Sequence, residues 1–205
     1  MTVKQSANIT NCPHGRHLRQ WVALLTALTV MLLAVSCGKK QSTDQTMTEA
    51  LITEYMNGLC KYDISAMNKT RLSKLDAYGD GKDVNAACRL LASRIQWQSD
   101  AVSINGNSAI AQITVALPAD FDGICRDALG DTLLKLEQGS EKTPAELLRD
   151  AMDSRAEKAE ITDISMEISM NKIDNKWYIV QSNRVDGIIS DIRTPVAAVY
   201  SMIDQ

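Results

Sequence analysis

Two stretches of strict alternation limit the folds open to this chain. Ala109, Ala111, Ile113, Val115 and Leu117 recur at every second position, and so do Ile164, Met166, Ile168 and Met170. A period of two puts such residues on one side of a strand and their neighbours on the other. Each stretch adjoins a turn signal, Asn105–Gly106 before the first and Asp174–Asn175 after the second. Residues that tolerate positive φ close tight hairpins, so each stretch is expected to pair with its chain neighbour as antiparallel strands. Residues 94–117 give one hairpin, stopped by Pro118, and residues 164–180 give the other.

Helical spacing fills the rest. Met47, Leu51, Tyr55 and Leu59 recur at i+4 over residues 46–60, with Thr46 and Glu49 placed as a capping box. A short helix is expected after Asp63, using Ile64, Met67 and Leu75, and another over 82–93 with Val84, Ala87, Cys88 and Leu91 inward. Phe121, Ile124, Cys125, Ala128, Leu129, Thr132, Leu133 and Leu136 form a stripe. Thr143, Pro144 and Glu146 mark a helix start, and a last helix is expected from Thr194 with Pro195 in its first position. Helices, hairpin, helices, hairpin, helix is an α+β order. It predicts a curved, four-stranded antiparallel sheet with one face covered by helices.

The start of the chain has another character. Residues 1–36 hold Lys4, Arg16 and Arg19 and no acid, and Trp21–Val35 is a run of fifteen uncharged residues. A membrane-spanning helix needs about 20 apolar residues. A shorter run behind a basic flank, closed by small residues, is the layout of a secretory signal. Leu33, Ala34, Val35, Ser36 and Cys37 resemble the end of a bacterial lipoprotein signal, with Ala34 where leucine is usual. That resemblance implies cleavage before Cys37, lipidation of its thiol, and a place at the extracytoplasmic face of the cell membrane. An uncleaved anchor, or cleavage without lipid, is the alternative. Residues 37–45 then read as a polar tether and 46–205 as one domain. Loss of residues 1–36 leaves 19 Lys and Arg against 25 Asp and Glu, a net of −6. Such a balance disfavours nucleic acid as a partner.

A second resemblance covers most of residues 46–193. Lys172, Asp174, Lys176, Trp177 and Ile179 resemble the last hairpin of uncharacterised Gram-positive surface lipoproteins, and residues 55–69 resemble their first helix pair. Those proteins have a cystatin-like, or nuclear-transport-factor-2-like, domain. The resemblance implies a cone-shaped α+β fold and no particular activity.

The inventory of reactive groups narrows the chemistry. Both histidines, His14 and His17, lie in the segment expected to be removed. A histidine-based nucleophile system or zinc site is then unavailable to the remainder. Cys60, Cys88 and Cys125 fit no metal spacing. They read as small core residues, with a Cys60–Cys88 disulfide as the alternative. The acid-rich stretches 76–83 and 120–127 read as solvated turns. Neither a cofactor nor a metal is expected. Trp97, Trp177 and Tyr178 are candidate pocket residues if they line an open sheet face; core packing is the simpler reading.

The leading expectation is a non-enzymatic binding or interaction module, tied to the membrane by its lipid, for an envelope protein or a small apolar ligand. The alternatives are a histidine-free, isomerase-like enzyme and a purely structural envelope component. The enzyme would use Asp163 or Asp186 with Tyr62, Tyr178 or Tyr200 inside the cone.

Overall fold

The first helix, α1, runs from Thr43 to Cys60, so it starts ahead of the cap expected at Thr46. Thr46 lies within the helix, and residues 43–45 of the expected tether are helical too. The cause is Asp44. Its Oδ1 accepts from Lys172 Nζ at 2.6 Å and from Trp177 Nε1 at 3.0 Å. An acid in the first turn also suits the positive end of the helix dipole. The computed structural model describes residues 43–203 apart from 77 and 181. The leader, Cys37 and residues 37–42 of the tether lie outside the described residues.

The end of α1 is built on a residue in an unusual conformation. Tyr62 N–H donates to the Leu59 carbonyl at 2.9 Å and Asp63 N–H to that of Gly58 at 2.8 Å. This is a Schellman motif, whose left-handed position glycine normally fills. Here Tyr62 fills it, at φ 50°, because its ring is buried in the core. Asp63 then caps α2 (Ile64–Thr70) by accepting from Ala66 N–H. Gly58 lets the two helices meet, since a Cβ there would lie 2.6 Å from Met67 Cγ.

α2 stops before Leu75, contrary to expectation. Arg71 turns extended and pairs with Ile179, and Leu72 N–H donates to the Ile179 carbonyl at 2.9 Å. Leu75 is half-buried in the loop that follows, where Asn68 clamps its backbone through both amide atoms.

α3 (Lys82–Ala92) leads into the sheet. Strands β1 (Gln96–Asn105), β2 (Ser108–Pro118), β3 (Ile161–Ile173) and β4 (Lys176–Ile179) lie in sequence order, all antiparallel, in one open sheet. α4 (Phe121–Glu137) and α5 (Pro144–Lys158) separate the hairpins. The expected α+β class and four-stranded antiparallel sheet are therefore observed. The second turn uses Asp174 and Asn175, at φ 47° and 62°. The first is displaced by one residue: Asn105 pairs with Ser108, and only Gly106 of the loop has positive φ, at 59°. Glycine in the first loop position suits a type II′ turn.

α6 (Asn183–Ile203) begins eleven residues before the expected Thr194, with Pro195 inside it. An interior proline costs about 3 kcal/mol and leaves the Asp191 carbonyl without that donor. Val185, Ile188, Ile189 and Ile192 continue at helical spacing into Val196, Val199 and Tyr200, and all are buried. Burying one such side chain contributes about 1.5–3 kcal/mol, so the stripe outweighs the proline.

The core lies on one side of the sheet. α1 crosses that side and touches both edge strands, β1 and β4. Ala111, Ile113, Val115, Ile168 and Ile179 pack there with Ile52, Tyr55, Met56 and Leu59. The covered face is thus filled with side chains. The other face is polar: Gln112 donates to Glu167 at 2.6 Å, and Thr114 to Asp100 at 2.8 Å.

Candidate functional site

The described residues that could do chemistry are, for the most part, locked. Arg71, only 2% exposed, donates both terminal nitrogens to the Asp186 carboxylate and also reaches Tyr55 Oη at 3.2 Å. Removing either charge would strand the other, so this pair is structural. Asp186 is taken up by Arg71, and Tyr62 lines a groove whose lining does not include Asp186 or Tyr200. Asp163 stands exposed at the far end of β3.

The three candidate pocket aromatics do not meet either. Trp97 is on β1 and Trp177 on β4, at opposite edges of the sheet. Trp177 is buried and donates to Asp44. Tyr178 is on the opposite, polar face, with Lys176 Nζ 5.2 Å from its ring centre. Trp97 alone lines a hollow, shared with Ile52, Thr53 and Val102 between α1 and β1.

Cys60, Cys88 and Cys125 are free thiols in this structure. The sulfurs of Cys60 and Cys88 have different neighbours. Cys60 donates to the Ile95 carbonyl at 3.5 Å, while Cys88 is buried beside Tyr62. Burial pushes the Cys88 and Cys125 thiols up to about 12. Neither is a thiolate near neutral pH, the form needed for attack.

An open groove of about 400 Å³ lies between α2, the loop after it and α3. Tyr62, Asp63, Asn68, Tyr78, Asn85 and Arg89 are among the residues that line it. Its walls are held from beneath. Asp80, in the supposedly solvated stretch 76–83, is nearly buried and takes two 2.7 Å hydrogen bonds from Arg193. The Arg193 guanidinium lies 4.2 Å over the Tyr78 ring and fixes it. Asn85 donates to the Asp80 and Gly81 carbonyls.

Tyr62 combines two uncommon features here. Its backbone is left-handed, and its buried hydroxyl has only the weakly hydrogen-bonding Cys88 thiol beside it. Such strain in a bulky residue concentrates at functional sites. Burial raises the hydroxyl's pKa far above neutrality, with the nearby Cys88 adding to the effect. Exposed Arg89 makes no ion pair among the described residues, and a neighbouring hollow joins it to Lys61 and Asp63. The groove offers an aromatic wall, amide groups, the Asp63 carboxylate and the Arg89 guanidinium. Sequence reading missed it because Tyr78, Asp80 and Arg193 meet only in the folded chain.

No family model and no curated protein matches the chain. Among solved structures, a Bacillus subtilis protein, ycdA, provisionally classed as a lipoprotein, aligns at 17% identity with a TM-score of 0.38. The likeness is distant. It covers 70% of this chain and 46% of that one, so the chain spans under half of its neighbour's length. Similarity at that level establishes neither fold nor role. No helix among the described residues is long and apolar enough to cross a membrane.

Proposed function

We propose that the protein is an envelope lipoprotein, anchored by lipid on Cys37, whose folded part binds a partner and performs no reaction. The observation that carries the reading is the junction at Ser36–Cys37. A basic, acid-free segment and fifteen uncharged residues lead to a small residue and then to the thiol. Two or more acyl chains there would give stable attachment, since one chain alone binds marginally. The helix across one face of an antiparallel meander favours the cystatin-like reading of the domain. The binding role is favoured by the state of the site: the Cys88 thiol and Tyr62 hydroxyl are buried, Asp80 is paired with Arg193, Asp63 caps a helix, and the groups left outward are a tyrosine face and the Arg89 guanidinium. These suit an acidic, aromatic-bearing segment of an envelope protein better than a small apolar ligand.

Intact mass and membrane fractionation of the protein from its native host test the anchor. A chain beginning at an acylated Cys37 is expected in the membrane fraction, and Cys37→Ser is expected to abolish the acylation. A retained leader or an unmodified Cys37 would overturn the address. Turnover of a small molecule by the purified domain would overturn the binding role.

A further inference from the structure

Asp44 fixes more than the start of a helix. Lys172 and Trp177, which hold it, face each other across the β3–β4 hairpin. The chain therefore leaves the domain at the hairpin end of the sheet. Only six steps of chain join Cys37 to Thr43, and fully extended they reach at most about 22 Å. The sheet is longer than that. From Ile173 to Asp163, ten residues along β3, the strand spans about 33 Å. A domain tied at Cys37 cannot set its far end on the membrane, because the tether would have to run the length of the sheet.

The surface chemistry agrees with this geometry. On the polar face near the hairpin end stand Ile110 and Ile173, 43% and 44% exposed. Beside them are Tyr178 and Lys176, with the ammonium over the ring, and the turn adds one acid, Asp174. An aromatic, a cation and exposed aliphatics together suit the headgroup boundary of a bilayer. Towards the opposite end the same face carries Asp100, Asp163 and Glu167, which an anionic membrane repels.

We infer that the hairpin end of the sheet, with Ile110, Ile173, Lys176 and Tyr178, is the surface this domain rests on the membrane that holds its lipid. The groove at Tyr78 and Arg89 is then the part left for a partner. The inference rests on the anchor at Cys37.

The test uses full-length lipidated protein in phosphatidylglycerol–phosphatidylethanolamine vesicles that contain a headgroup-nitroxide lipid. A fluorescent maleimide is placed at Ile173→Cys, Ser169→Cys or Asp163→Cys, all on one face of β3. Cys88 and Cys125 are protected by burial, and half-buried Cys60 is replaced by alanine in all three variants. Strong quenching is expected at 173, weaker quenching at 169 and none at 163. Equal quenching at 163 and 173 means that the sheet lies flat and overturns the orientation, as does absence of quenching at 173. Protein that stays out of the vesicles with an unmodified Cys37 overturns the anchor and the orientation together; vesicle-bound protein with the wrong pattern overturns the orientation alone.

Discussion

Two buried tyrosines differ by a single hydrogen bond, and that difference predicts different responses to the same change. The Tyr55 hydroxyl accepts from Arg71 Nη1, whose guanidinium is buried against Asp186. The Tyr62 hydroxyl is buried with only the Cys88 thiol, a weak hydrogen-bonding group, beside it. A hydrogen bond to a charged group contributes about 1.5–3 kcal/mol, whereas an unsatisfied buried hydroxyl costs about 1–3 kcal/mol. Tyr55→Phe is therefore expected to lower the unfolding free energy by about 2 kcal/mol. Tyr62→Phe is expected to leave it unchanged or raise it by about 1 kcal/mol. Urea unfolding of both variants reads the contrast, and a loss in Tyr62→Phe equal to that in Tyr55→Phe would sink it. Glycine would relieve the left-handed backbone at 62 but would also remove a core ring. Loss of a buried aromatic costs about 3–5 kcal/mol, so that variant is expected to be the least stable of the three.

At the scale of elements, the contact between α1 and the second hairpin carries a pH signature. Lys172, and after it Trp177, hold the Asp44 carboxyl below its ordinary value of 3.8. A carboxyl with a lower pKa folded than unfolded binds fewer protons when folded. Its contribution is complete above the unfolded value and fades as pH falls through the lower, folded one. Asp44→Asn is expected to reduce stability at neutral pH and to narrow that gap in acid. Melting temperature followed from neutral pH to below 3.8 checks this; wild type and variant falling in parallel would show that the ion pair is absent in solution. The same contact shows where the sequence was legible. Alternation and turn residues marked both hairpins, and Thr143, Pro144 and Glu146 form the capping box they suggested. Local pattern misplaced the start of α1 because Asp44 is held from 128 residues away. It misplaced the start of α6 because a buried stripe outweighs the usual effect of proline. The groove was invisible for a like reason: Asp80 and Arg193 are 113 residues apart.

For the molecule as a whole, the fate of three thiols tests how tightly the core is closed. Cys60, Cys88 and Cys125 come from three helices, and all are free. Two are fully buried, with pKa values pushed up to about 12 by desolvation; burial also raises that of Cys60. At pH 8 a thiol of that kind is ionised to about one part in ten thousand, against about a quarter for an unperturbed cysteine. Reaction of Cys88 and Cys125 with a disulfide reagent should therefore wait for the core to open. Thiol titration at pH 8 is expected to count three groups in denaturant. In native buffer Cys88 and Cys125 should react together, at a rate that a stabilising mutation slows. Such kinetics would make the core one cooperative unit, since the two neighbouring sulfurs are carried by different helices, α3 and α4. Rapid reaction of either in native buffer would mean that its helix opens locally. An unreduced mass short by two hydrogens would mean that a disulfide, and not packing alone, closes the domain in its own compartment.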